Sequence, residues 1–419
     1  MKKLLLVEDM KFFNSLVEKH VKRNLDIDVV SCTNYAEAVK VLKDGFNDYF
    51  LAILDLNLPD APDGQIVDLV IGYGIPSVVF SAQFSEDTRD QILSKNVIDY
   101  VVKQNPSSLD YLVSLISRLY FNANIKVLVV DDSTTARKYV MDLMIRYQFQ
   151  VLEAEDGTEA LKVLKEHPDI RLVITDYNMP EMDGFELTRE IRRTYPKHKI
   201  GIIGLSTTGS NVLSAQFIKN GANDFLNKPF LREEFFCRVS QNVELIEYMD
   251  NLKSAATHDF LTGLHNRRFL HDIGNNYVAR ALREDLPLAV AFMDIDHFAN
   301  INDTYGHSAG DEILIQLGEL LNDRCRRSDV LARTGGGELC VIANNLSAQN
   351  SMEFLDQLRD IVAKHDFKTK DDVLKLTVSI GACDTLHEDF ETMMTKATEA
   401  LHTAKQGGRN RTVIYQENG

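Results

Sequence analysis

Two stretches of the chain place the same charged residues at the same spacings behind short apolar runs, and this repeat limits the fold more than any other feature. In the first, the run Lys3–Val7 stops at Glu8 and Asp9, and the run Phe50–Leu54 stops at Asp55, 46 residues beyond Asp9. Ser77–Phe80 leads to Ser81, and Asp99–Val102 to Lys103, 22 residues further on. In the second, Ile125–Val130 stops at Asp131 and Asp132, and Leu172–Thr175 at Asp176, 44 residues beyond Asp132. Ile202–Leu205 leads to Ser206, and Phe225 precedes Lys228, again 22 residues beyond the serine. A repeat of this length means two copies of one domain. Unbroken apolar runs are strands buried on both faces of a parallel sheet. Between them lie amphipathic segments; the helix predicted over Lys11–Lys22 carries Phe12, Leu16 and Val17 on one stripe. The expected fold is α/β and doubly wound, with function at the carboxyl ends of the strands, where the charged residues stand.

Three clustered carboxylates repel one another and call for a divalent cation such as Mg²⁺. Glu8, Asp9 and Asp55 form one such set, and Asp131, Asp132 and Asp176 the other. Each set resembles the receiver domain of bacterial response regulators. The resemblance makes Asp55 and Asp176 the phosphoacceptors, and Glu8, Asp9, Asp131 and Asp132 the metal carboxylates. It gives Lys103 and Lys228 the added charge to pair with, and Ser81 and Ser206 a phosphoryl oxygen to bond. Tyr100 and Phe225 match the switch aromatic. The implied partner is a sensor histidine kinase or a phosphotransfer protein.

Residues 121–124 read as a short polar joint between the copies. From Arg232 to Ala256 there is neither Gly nor Pro, and Phe235, Val239, Ile246 and Met249 form a helical seam, with Leu245 and Leu252 alongside. The first half is expected to pack on its own sheet. The second, Glu244–Ala256, reads as a stalk to the next domain, paired in a dimer.

The last two-fifths of the chain centre on Val330–Ile342, two apolar runs joined through Gly335, Gly336 and Gly337. This predicts a strand, a tight turn and a strand. Around it stand Asp259–Arg268 (Asp-Phe-Leu-Thr-Gly-Leu-His-Asn-Arg-Arg), Asp294-Ile295-Asp296, Ile301–Asp311 and Ala404–Asn410. In this order they resemble the GGDEF domain of diguanylate cyclases, which condense two GTP into cyclic di-GMP. The resemblance implies that Asp294 and the Ile295 carbonyl bind metal, and that Asn302 and Asp311 read guanine. It gives the triphosphate to Lys405 and Arg409, one turn apart near a predicted helix. Arg326 and Asp329 match the Arg-x-x-Asp inhibitory site for cyclic di-GMP.

The chain departs from that family at the reacting centre. Gly337 stands where the signature has a metal-binding acid, Ala299 where it has a phosphate-contacting lysine, and Leu339 where it has phenylalanine. Glu338 is one residue along and is expected to point to the opposite face. The expectation is a domain that binds GTP or cyclic di-GMP with little or no turnover; the alternative is an active diguanylate cyclase.

Composition fits this reading. A net charge of −16 excludes a broad nucleic-acid surface, so DNA is not an expected partner. No apolar run is long enough to span a membrane, and Glu8 and Asp9 cut short the only leader-like run. Five dispersed cysteines point to a reducing cytoplasm. The expected organisation is residues 1–121 and 125–243 as receiver domains, 244–257 as helical linker, and 258–419 as an α+β GGDEF-like domain, with a downstream protein target and a homodimer as further partners.

Overall fold

The computed structural model describes residues 2–416 except 83–84, 105, 208–210, 347 and 371. The chain forms two compact units, residues 1–247 and 248–419.

The first unit contains two parallel five-stranded sheets. One is built from β1 (Lys3–Val7), α1 (Lys11–Asn24), β2 (Asp28–Cys32), α2 (Tyr35–Asp44), β3 (Tyr49–Leu54), α3 (Gln65–Gly72), β4 (Ser77–Ser81), α4 (Glu86–Ser94), β5 (Asp99–Val102) and α5 (Pro106–Asn122). Its strand order is β2-β1-β3-β4-β5. The other comprises β6 (Lys126–Val130), α6 (Thr134–Arg146), β7 (Gln150–Ala154), α7 (Gly157–Glu166), β8 (Ile170–Asp176), α8 (Gly184–Thr194), β9 (Gly201–Ser206), α9 (Asn211–Lys219), β10 (Asp224–Asn227) and α10 (Arg232–Thr257). Its order, β10-β9-β8-β6-β7, is the same one read from the other edge. The runs predicted as strands are strands, and β3, β4 and β9 are buried along their whole length. This is the doubly wound, flavodoxin-like receiver type, twice.

The two copies share one hydrophobic cluster. Leu112, Leu115, Ile116 and Leu119 of α5 belong to it together with Val140, Leu143 and Met144 of α6 and Phe235 and Val239 of α10. Tyr147 stacks on Phe236 at 3.3 Å, and its hydroxyl donates to the Ile98 carbonyl of the first copy at 3.1 Å. Arg118 pairs with Glu247 at 2.7 Å, and Arg89 with Glu233 at 2.6 Å.

Three expectations change here. Phe12 is 67% exposed; Phe13 takes its place on the inner face of α1, beside Leu16 and Val17. The polar joint is not free: α5 runs through Asn122, which is fully buried and donates to the Tyr147 carbonyl at 2.9 Å. In α10, Phe235, Val239, Val243 and Ile246 are buried, but Leu245, Tyr248, Met249 and Leu252 are exposed, so Met249 falls outside the seam.

The second unit is built on a mixed six-stranded sheet. Its elements are β11 (His265–Asn266), α11 (Arg267–Glu284), β12 (Leu288–Ile295), α12 (Phe298–Tyr305), α13 (His307–Asn322), β13 (Val330–Gly335), β14 (Glu338–Asn344), α14 (Ala348–Lys364), the small pair β15 (Phe367–Lys368) and β16 (Val373–Leu374), β17 (Val378–Cys383), α15 (Phe390–Gln406) and β18 (Thr412–Ile414). The order is β11-β13-β14-β12-β17-β18. Alternation along β12 divides the core: Val290 and Phe292 face α11 and α15, while Ala289, Ala291 and Met293 face α13 and α14. The predicted hairpin is β13–β14, and its tip uses positive φ at Gly335 (149°) and Gly336 (52°).

Candidate phosphorylation and nucleotide sites

In the first copy the sheet brings the predicted set together. Carboxylate oxygens of Glu8, Asp9 and Asp55 all lie within 4.8 Å of one another. Lys103 Nζ donates to Glu8 and, at 2.6 Å, to Asp55 Oδ2. Its side chain is 3% exposed, and its Nζ lies 5.1 Å from the centres of both the Phe13 and Phe80 rings. Burial pushes the Glu8 carboxyl up, against the pull of Lys103. Three converging carboxylates fit a hard, oxygen-seeking cation such as Mg²⁺, and Glu8, Asp9 and Asp55 would hold it. Such a cation would neutralise negative charge on an anion brought up to the three acids. Tyr100 is buried and hydrogen-bonded to Ser81, which places it in the inward position.

In the second copy Lys228 Nζ donates to Asp131 Oδ2 and Asp176 Oδ1, both at 2.6 Å. Burial works against the lysine's charge, but the two aspartates outweigh it and its pKa is raised. Asp132 is exposed, and among the described residues only the first copy gathers three acids within reach of one ion. Ser206 and Phe225 are buried. Sequence reasoning missed the brace behind each acid pair. Arg137 Nη1 donates to the Asp131 carbonyl at 2.7 Å while pairing with Glu153 and Glu155. Asn14 donates to the Glu8 carbonyl in the first copy. Both stand five residues after the second acid, a spacing that could have found them.

In the second unit Asp294 lies near the end of β12, and Lys405 Nζ of α15 donates to its Oδ2 at 2.8 Å. Asn302 of α12 lies against Gly310 of α13, where any side chain would overlap its amide oxygen. Asp311 follows Gly310 in the first turns of α13, so the two predicted guanine readers stand on facing helices. Ile295 N donates to the Gly337 carbonyl at 3.3 Å, which ties the hairpin tip to β12. Asp329 folds its carboxylate onto its own turn, accepting from Arg326 N at 2.9 Å and from Asn344 N at 3.2 Å, and Arg326 is exposed.

The expectation for Glu338 holds, since it points away from the side a residue 337 side chain would take, and the register adds which side that is; the expectation for Arg409 is overturned. Glu338 is the direct cross-strand partner of Asp294 in the β12–β14 register, so both carboxylates stand on one side of the sheet. A side chain at 337 would point elsewhere, its Cβ 3.0–3.3 Å from Phe298. Glu338 thus remains beside Asp294 without any slip of register, with its Oε1 accepting from the Thr334 hydroxyl at 2.6 Å. Arg409, in turn, is not on a helix face with Lys405. Helix α15 stops at Gln406, and Arg409 follows two glycines with φ 64°.

A further pair was not read from the sequence. Arg333 donates to Asp259 Oδ1 at 3.0 Å and to the Gly336 carbonyl at 3.0 Å, joining the Asp-Phe-Leu-Thr turn to the hairpin tip. Burial raises the Asp259 pKa, but bonds from the Thr262 hydroxyl and amide, with Arg333, outweigh it and the net shift is downward. A carboxyl depressed in the fold stabilises above its unfolded value, about 3.9, and this contribution is lost as pH falls through the folded value. Arg333→Ala should therefore lower the urea midpoint at neutral pH and lose less on acidification than the parent chain. Parallel pH profiles would refute this role for Arg333.

The response regulator receiver domain family matches residues 127–240, and the family described as diguanylate cyclase, GGDEF domain, matches residues 256–411. The response regulator PleD of Caulobacter vibrioides is 29% identical over 308 residues, covering 69% of this chain and 65% of PleD. Diguanylate cyclase DosC of Escherichia coli is 35% identical over 209 residues, 48% of this chain and 45% of DosC. The chain thus spans less than two thirds of the length of these curated relatives. A solved two-component system response regulator/GGDEF domain protein is 42% identical with a TM-score of 0.54, covering 59% of this chain and all of that one. The chain belongs to the response regulators that carry a receiver domain and a GGDEF domain. Among the described residues, no helix is long and apolar enough to cross a membrane.

Proposed function

We propose that this protein is a phosphorylation-controlled regulator of cyclic di-GMP signalling whose output domain binds guanine nucleotide and turns it over slowly or not at all. One contrast supports the reading: the residue types that would bind nucleotide are retained, while the reacting centre is thinned. Asn302 and Asp311 stand on facing helices, and Lys405 stands at Asp294. Gly337 and Ala299 offer neither a carboxylate nor an ammonium. Phosphoryl transfer depends mainly on positioning and charge neutralisation, so these losses act on rate more than on binding. Asp55 and Asp176 are the phosphoacceptors, fed by a sensor histidine kinase or phosphotransfer protein with Mg²⁺. The exposed stripe Leu245, Tyr248, Met249 and Leu252 of α10 has helical spacing and suits a homodimer. Arg326 and Asp329 take cyclic di-GMP, and a downstream protein reads the result.

The test is calorimetry on the full chain. GTP and cyclic di-GMP should both bind, and Arg326→Ala should abolish cyclic di-GMP binding while leaving GTP unchanged. Absence of heat with either nucleotide would sink the reading. A second reading, an active diguanylate cyclase, is favoured by one feature: Glu338 supplies a second carboxylate directly across from Asp294.

A further inference from the structure

The loop after α15 holds two successive non-glycine residues in left-handed backbone, Arg409 at φ 64° and Asn410 at φ 44°, just after Gly408 at φ 115°. Side chains with a Cβ disfavour this conformation, and it persists where the surroundings impose it. Asp296 does so. It is 7% exposed and accepts from Thr377 Oγ1 at 2.6 Å, Ser379 Oγ at 2.7 Å and the Asn410 backbone N at 3.0 Å. The two hydroxyls fix the orientation of the carboxylate; the third bond pins the backbone one residue beyond Arg409. From the other side, Arg359 Nη1 donates to Asn410 Oδ1 at 3.0 Å. A carboxylate acceptor on one side and a guanidinium donor on the other make these bonds stronger than neutral pairs would be.

We infer that Asp296 is a positioning residue for the phosphate subsite: by holding Asn410 it fixes the left-handed turn from which Arg409 reaches the anion that Lys405 also meets. This rests on the guanine-nucleotide reading above. The carboxylate of Asp296 is taken up by these three donors. It acts through the backbone, and its removal weakens triphosphate binding while sparing the base subsite on α12 and α13.

Asp296→Asn tests this in the full chain, because an amide keeps the shape and one oxygen but turns an N–H toward the donors. GTP affinity should fall about tenfold, while guanosine affinity, which reports Asn302 and Asp311, stays within about twofold. Arg409→Ala should produce the same loss, and the double variant little more, since both act on one contact. In the unliganded chain, amide exchange over residues 404–412 should accelerate in Asp296→Asn with β12 unchanged. Unchanged GTP affinity, a parallel fall in guanosine affinity, or unchanged exchange in the loop would each overturn the inference. A parent chain that binds neither GTP nor guanosine removes the nucleotide reading and this inference with it; the parent titration alone tells that outcome from failure of Asp296→Asn.

Discussion

Asp55→Asn is expected to remove most of the label that the chain takes from a small acyl-phosphate donor, and Asp55→Asn with Asp176→Asn all of it. In the first copy all three acids converge and Lys103 already bridges Glu8 and Asp55. In the second, Asp132 stands outside the Lys228 pair. Chelation of Mg²⁺ should stop labelling of every variant, since crowded carboxylates repel an incoming phosphoryl group. Mass spectrometry of intact chains reads the result, and a labelled double variant would disprove the assignment. Beryllofluoride, which mimics the phosphoryl group, should strengthen a two-fold dimer in the parent chain but not in the double variant. A light-scattering mass that stays monomeric with and without it would count against the dimer.

The second large effect concerns turnover. The parent chain, supplied with GTP and Mg²⁺, is expected to make cyclic di-GMP slowly or not at all. Gly337→Asp with Ala299→Lys should raise the rate by about a hundredfold or more. The two changes should act more than additively, because both address one triphosphate. Gly337→Asp alone should give less, since it leaves position 299 without an ammonium; in either variant the new Cβ lies 3.0–3.3 Å from Phe298, which must shift by a few tenths of an ångström. Glu338→Gln separates the readings: if the Asp294–Glu338 pair already serves as the metal site, it abolishes whatever rate the parent has. A parent rate unmoved by Gly337→Asp with Ala299→Lys and lost in Glu338→Gln would replace the slow-output reading with the cyclase reading.

The strands and the acids at their ends were legible because burial on both faces leaves an unbroken apolar run, and the first polar residue after it marks the end of the strand. Periodicity failed where it had no reference for phase. In the doublet Phe12-Phe13 a helical pattern accepts either residue, and the packing of α1 chose Phe13. For Glu338, alternation rightly set it opposite residue 337, but only register with β12 shows that its side is that of Asp294. For Arg409, a four-residue step from Lys405 looked helical, but the two intervening glycines end α15. Arg333–Asp259 and Asp296–Asn410 join residues 74 and 114 apart. Only the folded chain brings such partners together, and no local spacing encodes them.

The shared cluster of the first unit has a consequence for how the duplication survives. With Asn122 buried at the joint, Tyr147 bonded to Ile98, and α5, α6 and α10 in one cluster, each half lends the other part of its interior. Either half expressed alone would bare apolar surface that its own chain has no means to cover, and would be expected to clump or to need a detergent. In the intact chain residues 1–247 would melt as one block with a single heat-capacity peak, in place of two steps. A graft that borrows one half of this pair would be expected to need the other.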